Sequence, residues 1–205
     1  MSAPRPVEQI LSRLPRPFAL RRLVGIAGPP ASGKSTLAKA LADALIAGGE
    51  TAVIVPMDGF HLDNAILSVR GLLARKGAPE TFDSAGFAAL LPRLRSREDV
   101  AVPLFDRTRD LAIAGAAVVA PACDYVIVEG NYLLLNEDPW RSLSPLWDMT
   151  VYISPPAPVL RERLIARWTD HGLALADALA RAEGNDMVNA RRIEAWRLPS
   201  DLTFA

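Results

Sequence analysis

Apolar positions along the chain fall into a few distinct patterns. Val7, Ile10, Leu11 and Leu14 recur at i, i+3, i+4 and i+7, the spacing of one helix face. Pro15 and Pro17 end that helix. Residues 1–20 therefore read as a helical arm that packs on a single domain of residues 21–205. Residues 23–27 (LVGIA) form an unbroken apolar run, suited to a strand buried on both faces. A glycine-rich turn follows, then a helix from about Lys34 to Ala47. Leu37, Leu41 and Leu45 line one side of it, and Gly48-Gly49 supply the stop. Residues 51–55 are a second β-branched run. Strand, turn, helix and strand in this order make a βαβ unit, which predicts parallel pairing and a right-handed crossover.

Two further runs, residues 125–128 (YVIV) and 149–153 (MTVYI), read as central strands. Between residues 60 and 120 the periodicity is weaker. Phe87, Leu90, Leu91 and Leu94 predict a helix from near Ser84, with Pro92 inside the pattern. Leu160, Leu164 and Trp168 mark a helix over 158–169. An alanine-rich helix follows at about 174–182 and another at 186–196, with a last short strand at 201–204. There is no internal repeat.

Composition narrows the class. Half of the 205 residues are apolar and 22% are charged, which fits a packed core. Lys and Arg together number 23 and so do Asp and Glu, so nothing in the charge balance points to nucleic acid. The longest apolar stretch, Leu111–Val119, is far short of the ~20 residues of a membrane span. Prolines at 4, 6, 15 and 17 interrupt the N-terminus before a signal peptide could develop. A lone cysteine, Cys123, excludes a disulfide framework. The expectation is a cytoplasmic protein with neither membrane nor nucleic-acid partner.

The decisive chemistry lies in the first turn. GPPASGKS, from Gly28 to Ser35, matches G-x-x-x-x-G-K-[ST] and is followed by Thr36. Gly28, Ala31, Ser32 and Gly33 belong to a loop whose backbone N–H groups can point inward at an anion. The helix that begins there adds the positive end of its dipole. Lys34 can reach the β- and γ-phosphates, and the Ser35 hydroxyl can ligate Mg²⁺. The motif follows a buried strand and opens a helix, which is the context this mechanism requires. ATP and Mg²⁺ are the expected cofactors. The strand at 125–128 runs into Glu129-Gly130, and an acid there can hold the metal. Guanine-specific Asn-Lys-x-Asp is absent from the chain. The second strand runs into Pro56-Met57-Asp58-Gly59-Phe60-His61. Asp58 should emerge at the same carboxyl edge as the phosphate loop, where open α/β sheets bind ligands. A carboxylate there can take the proton of an attacking hydroxyl; the other reading is an ordinary Asp-Gly turn. His61 is a candidate for substrate contact. Arg163 and Arg167, four apart in the 158–169 helix, share a face and are candidates for a lid that stabilises the transferring phosphoryl group.

Taken together, GPPASGKST, MDGFHLDN, RKGAPETFD and VIVEGNYLLL resemble the uridine kinase, phosphoribulokinase and bacterial pantothenate kinase group of P-loop kinases. The resemblance covers roughly residues 20–195 and is strongest towards small bacterial nucleoside- or sugar-transport-associated kinases. It implies an α/β, doubly wound, mainly parallel five-stranded P-loop NTPase sheet with helices on both faces and a helical lid. It implies Asp58 as general base, Lys34, Ser35 and Thr36 on ATP and Mg²⁺, and Glu129 near the metal. Asp83 matches a position where uridine kinases hold substrate hydroxyls. Uridine kinases also carry a Tyr-Asp-Phe run and a following His at the base pocket. Here that region reads Phe105-Asp106-Arg107-Thr108-Arg109, with no Tyr and no His, which argues against a pyrimidine acceptor. Arg109 is a candidate substrate contact. The expected activity is phosphorylation of a hydroxyl on a small polar metabolite, whether sugar, pantothenate-like or nucleoside-like. The expected partners are that small-molecule acceptor and, as one option, a second copy of the chain in a homodimer. The rival is a nucleotide-hydrolysing regulatory P-loop NTPase acting through a protein partner. A base facing an enclosed acceptor pocket distinguishes the two.

Overall fold

The computed structural model describes residues 5–205. The predicted arm begins as α1 (Pro6–Arg13), and residues 1–4 of it lie outside the described residues. The chain continues through β1 (Arg22–Ala27), α2 (Lys34–Ala47), β2 (Ala52–Pro56), α3 (Asn64–Val69) and α4 (Ser84–Arg95). A hairpin of β3 (Val100–Asp106) and β4 (Leu111–Val119) follows, then β5 (Tyr125–Gly130) and β6 (Met149–Ile153). The last elements are α5 (Ala157–Asp170), α6 (Leu175–Arg181), α7 (Met187–Trp196) and β7 (Leu202–Phe204). A π-helical turn, Ala182–Asp186, joins α6 to α7.

Five strands form one parallel sheet in the order β2-β5-β1-β6-β7. The βαβ unit is present, but its two strands are not paired. β5 lies between β1 and β2, a placement set by a strand some 70 residues away in sequence. Successive side chains of β1 point to opposite faces. Leu23 joins a core with Phe87, Leu91 and Trp140, whereas Val24 and Ile26 join Ile10, Leu41 and Leu45. Helices cover both faces, as expected of a doubly wound fold. Pro92 lies inside α4 without ending it. Its own side is exposed, and the buried face of Phe87, Leu90, Leu91 and Leu94 holds the helix through the missing hydrogen bond.

The β3–β4 hairpin was not foreseen. β4 reads LAIAGAAVV, which neither alternates nor is rich in β-branched residues until its end. Pairing with β3 and packing of β3 on the turn at Met57–Phe60 decide its structure. Among the described residues no helix is long and apolar enough to cross a membrane.

Candidate active site

The carboxyl ends of β1, β2 and β5 lie at one edge of the sheet. Ala27 is opposite Gly130, and Pro56 is opposite Glu129. The phosphate loop, Asp58 and Glu129 therefore converge on one cavity of about 460 Å³. Gly28 starts the loop where a Cβ would meet the Ile153 carbonyl oxygen at 2.6 Å, so no other residue fits there. Gly33 adopts φ +100 as it turns the chain into α2. Ala31, Gly33, Lys34, Ser35 and Thr36 line the cavity, while Gly28 and the buried Ser32 do not. Lys34 is buried and its Nζ donates to the Pro29 carbonyl at 2.8 Å. Burial lowers its pKa to about 8, although Glu129 and Asp58 pull the other way. Ser35 Oγ donates to Glu129 Oε1 at 3.2 Å, and burial raises the Glu129 carboxyl above its ordinary range.

Asp58 sits in the one-turn helix Met57–Phe60 immediately after β2, and it lines the cavity. Its Oδ2 accepts from Arg107 Nη2 at 2.8 Å. His61 also lines the cavity. Its ring lies 4.1 Å from Phe82 and 4.6 Å from Phe105, and its Nδ1 is 2.7 Å from the Asp58 carbonyl oxygen. Burial lowers the His61 pKa, so a neutral ring donating from Nδ1 to that carbonyl fits both facts.

Besides Gly28 and Ser32, three residues expected at the site lie outside the cavity lining. Asp83 caps α4, its Oδ1 accepting from the Gly86 amide at 2.9 Å. The hydroxyl-binding position implied by resemblance is thus used for a helix terminus. Arg109 is exposed in the β3–β4 turn, and Arg107 takes the place at the cavity that Arg109 was expected to fill. Arg163 reaches over the loop, with Nη1 3.4–3.5 Å from the Ser32 and Ala31 carbonyl oxygens. Arg167, one turn further on, does line the cavity.

Lys76, Asp110, Trp168, Arg181 and Asp186 complete the wall without having been singled out as site residues. Lys76 Nζ is nearly buried, donates to Asn64 Oδ1 and pairs with Asp110 at 2.9 Å. Its place in the RKGAPETFD run was the one signal that could have drawn attention to it. His171 forms the C-terminal cap of α5, as its position before Gly172 suggests, and also faces the cavity.

No family model matches the chain. A Schizosaccharomyces pombe protein named "Putative uridine kinase" is 35% identical over 194 residues, which cover 90% of this chain and 83% of that one. A solved structure from Silicibacter sp. TM1040, a "putative fructose transport system kinase", is 54% identical with a TM-score of 0.93, and the match covers 97% of both chains. The chain belongs to the P-loop kinases of the uridine kinase, phosphoribulokinase and pantothenate kinase group. It is an ATP-dependent small-molecule kinase. The pantothenate kinase of Leifsonia xyli is 34% identical over 151 residues; this kinase spans 45% of that protein's length.

Proposed function

We propose that this kinase transfers the γ-phosphoryl group of ATP to a hydroxyl of a small polar acceptor without a pyrimidine base, such as a sugar, a sugar acid or a pantothenate-like compound. One observation carries the reading. Asp58 stands in the same cavity as Lys34, with one carboxylate oxygen held by Arg107 and the other without a protein partner among the described residues. Lys34 and the loop amides bind the phosphates of ATP, and α2 directs its positive end at them. Oδ1 of Asp58 accepts the acceptor's hydroxyl proton as that oxygen attacks the γ-phosphorus in line. Arg107 fixes the carboxylate in place for that transfer. Arg167 lies close enough to Lys34 and Asp58 to act on both, which suits it to the charge of the transferring group. No covalent enzyme intermediate is required.

Ser35 Oγ and Glu129 are the residues that would hold Mg²⁺. They are hard oxygen donors 3.2 Å apart, close to the ~3 Å that separates adjacent ligands on an octahedral ion with ~2.1 Å bonds. When bound, the ion offsets negative charge on the phosphate oxygens.

The acceptor wall supports the class of substrate. It carries the ion pairs Lys76–Asp110 and Arg107–Asp58, polar groups suited to the hydroxyls of such an acceptor. His61 is flanked by Phe82 and Phe105, so its ring is already in contact with aromatic partners. The fructose-transport and pantothenate names of two relatives accord with such acceptors. The test is ADP release above the no-acceptor rate with sugars, sugar acids, pantothenate and nucleosides. Turnover with a sugar, sugar acid or pantothenate is expected. Efficient turnover of uridine or cytidine with the others inert would overturn this reading.

A further inference from the structure

Two guanidinium groups stand by the Trp168 ring. Arg167 is 5.7 Å from its ring centre and Arg181 is 5.2 Å. All three line the cavity. Among the described residues neither arginine has a carboxylate within ion-pair distance. Among the described residues Arg181 donates to the Ala74 and Lys76 carbonyl oxygens. The acid that acts on both arginines is Asp186. It is buried and its Oδ2 accepts from Trp168 Nε1 at 2.6 Å, which fixes the indole in place. Glu183, on the same turn, is taken by Arg161 and Arg191.

Arg181 is held at the main chain of Ala74 and Lys76, and Lys76 in turn pairs with Asp110 and lies over the Phe105 ring. Arg181 therefore belongs to the Lys76 end of the cavity, whereas Arg163 is the arginine on the phosphate loop. The π-helical turn explains how the Lys76 end is built. It turns Asn185 and Asp186 inward together, where Asn185 Nδ2 donates to the Lys76 carbonyl at 2.9 Å while Asp186 holds Trp168. The Arg181 guanidinium is tied to the main chain at Ala74 and Lys76 and lines the cavity without an ion pair among the described residues.

We infer that the Lys76 end of the cavity, where Arg181 and Trp168 stand, is a binding subsite for an anionic group on the acceptor, a carboxylate or a phosphate ester. This narrows the acceptor class and rests on the kinase reading above. A planar guanidinium stacked on indole loses little freedom on binding and presents donors suited to a two-oxygen anion. A neutral sugar would leave that guanidinium without an ion-pair partner.

The test uses the full chain saturated with Mg²⁺ and a non-hydrolysable ATP analogue, so that the phosphate loop is already filled. Matched pairs are titrated: D-gluconate against D-glucose, D-glycerate against glycerol, fructose 6-phosphate against fructose, and pantothenate against its alcohol. Binding is read by tryptophan fluorescence, with Trp168→Phe identifying the signal from this subsite. In at least one pair the anion is expected to bind about tenfold or more tightly than its neutral partner. Arg181→Gln should remove that preference without weakening the nucleotide analogue, and Arg181→Lys should restore part of it. The pair that responds tells carboxylate from phosphate ester. Equal binding within every pair, no binding by any compound, or a preference that survives Arg181→Gln would each overturn the inference. Anion-selective binding without ADP release from ATP would count against the kinase reading and leave the subsite standing. Turnover of neutral acceptors alone would do the reverse.

Discussion

Asp58 and Lys34 occupy one cavity but depend on it in different ways. Asp58→Asn keeps the shape and cannot take a proton at neutral pH. This variant should still bind Mg·ATP and lose about 10²–10⁴-fold in acceptor phosphorylation, measured by coupled ADP release. Near-normal turnover would make Asp58 a turn residue. Lys34 holds phosphate only when protonated, and burial has brought its pKa down to about 8. Below that value the free enzyme carries the cation; above it the cation is lost, so kcat/KM for ATP should fall as pH rises past about 8. Bound phosphate favours the charged form, so kcat at saturating ATP should hold to higher pH. A flat kcat/KM up to pH 10 would show that Lys34 does not carry the binding. At this scale the sequence was most legible for the loop, because its chemistry needs fixed residue types at fixed spacing. It was least legible for arginines. Arg163 and Arg167 share a helix face by spacing, but only the packing of α5 shows that Arg163 lies on the loop backbone while Arg167 faces the cavity.

At the scale of elements, α4 shows how a motif residue can have a structural role. Asp83 ends the RKGAPETFD run and caps the helix. Asp83→Ala should cost about 0.5–2 kcal/mol of stability in urea unfolding and leave the acceptor KM within about twofold. A large rise in KM with stability unchanged would return Asp83 to the substrate. The helices that close the cavity were found in sequence within a residue or two, at 158–169, 174–182 and 186–196. The π-helical turn that joins the last two was not visible. It depends on one extra residue being accommodated where Asn185 reaches Lys76 and Asp186 reaches Trp168, contacts made across 109 and 18 residues of sequence.

For the whole molecule, the N-terminal arm is the element whose standing most needs a test. Ile10 is fully buried in the core formed by Val24, Ile26, Leu41 and Leu45, so α1 contributes to the main fold. Ile10→Ala should destabilise the full chain by about 2–5 kcal/mol in a single cooperative transition; a change below about 0.5 kcal/mol would mean the arm is merely appended. The sequence by itself determined the phosphate loop, the five sheet strands, the helices other than α3 and the presence of Asp58 and Glu129 at strand ends. These follow from local periodicity and from a motif whose parts are adjacent in the chain. Only the tertiary structure decided that β5 separates β1 from β2, that residues 100–119 form a hairpin, and that Arg107, Arg167 and Arg181 face the cavity whereas Arg109 and Arg163 do not. Each of those outcomes depends on partners distant in sequence. Strand order is set by which apolar faces can be buried together, and the direction of an arginine by which backbone packs beside it.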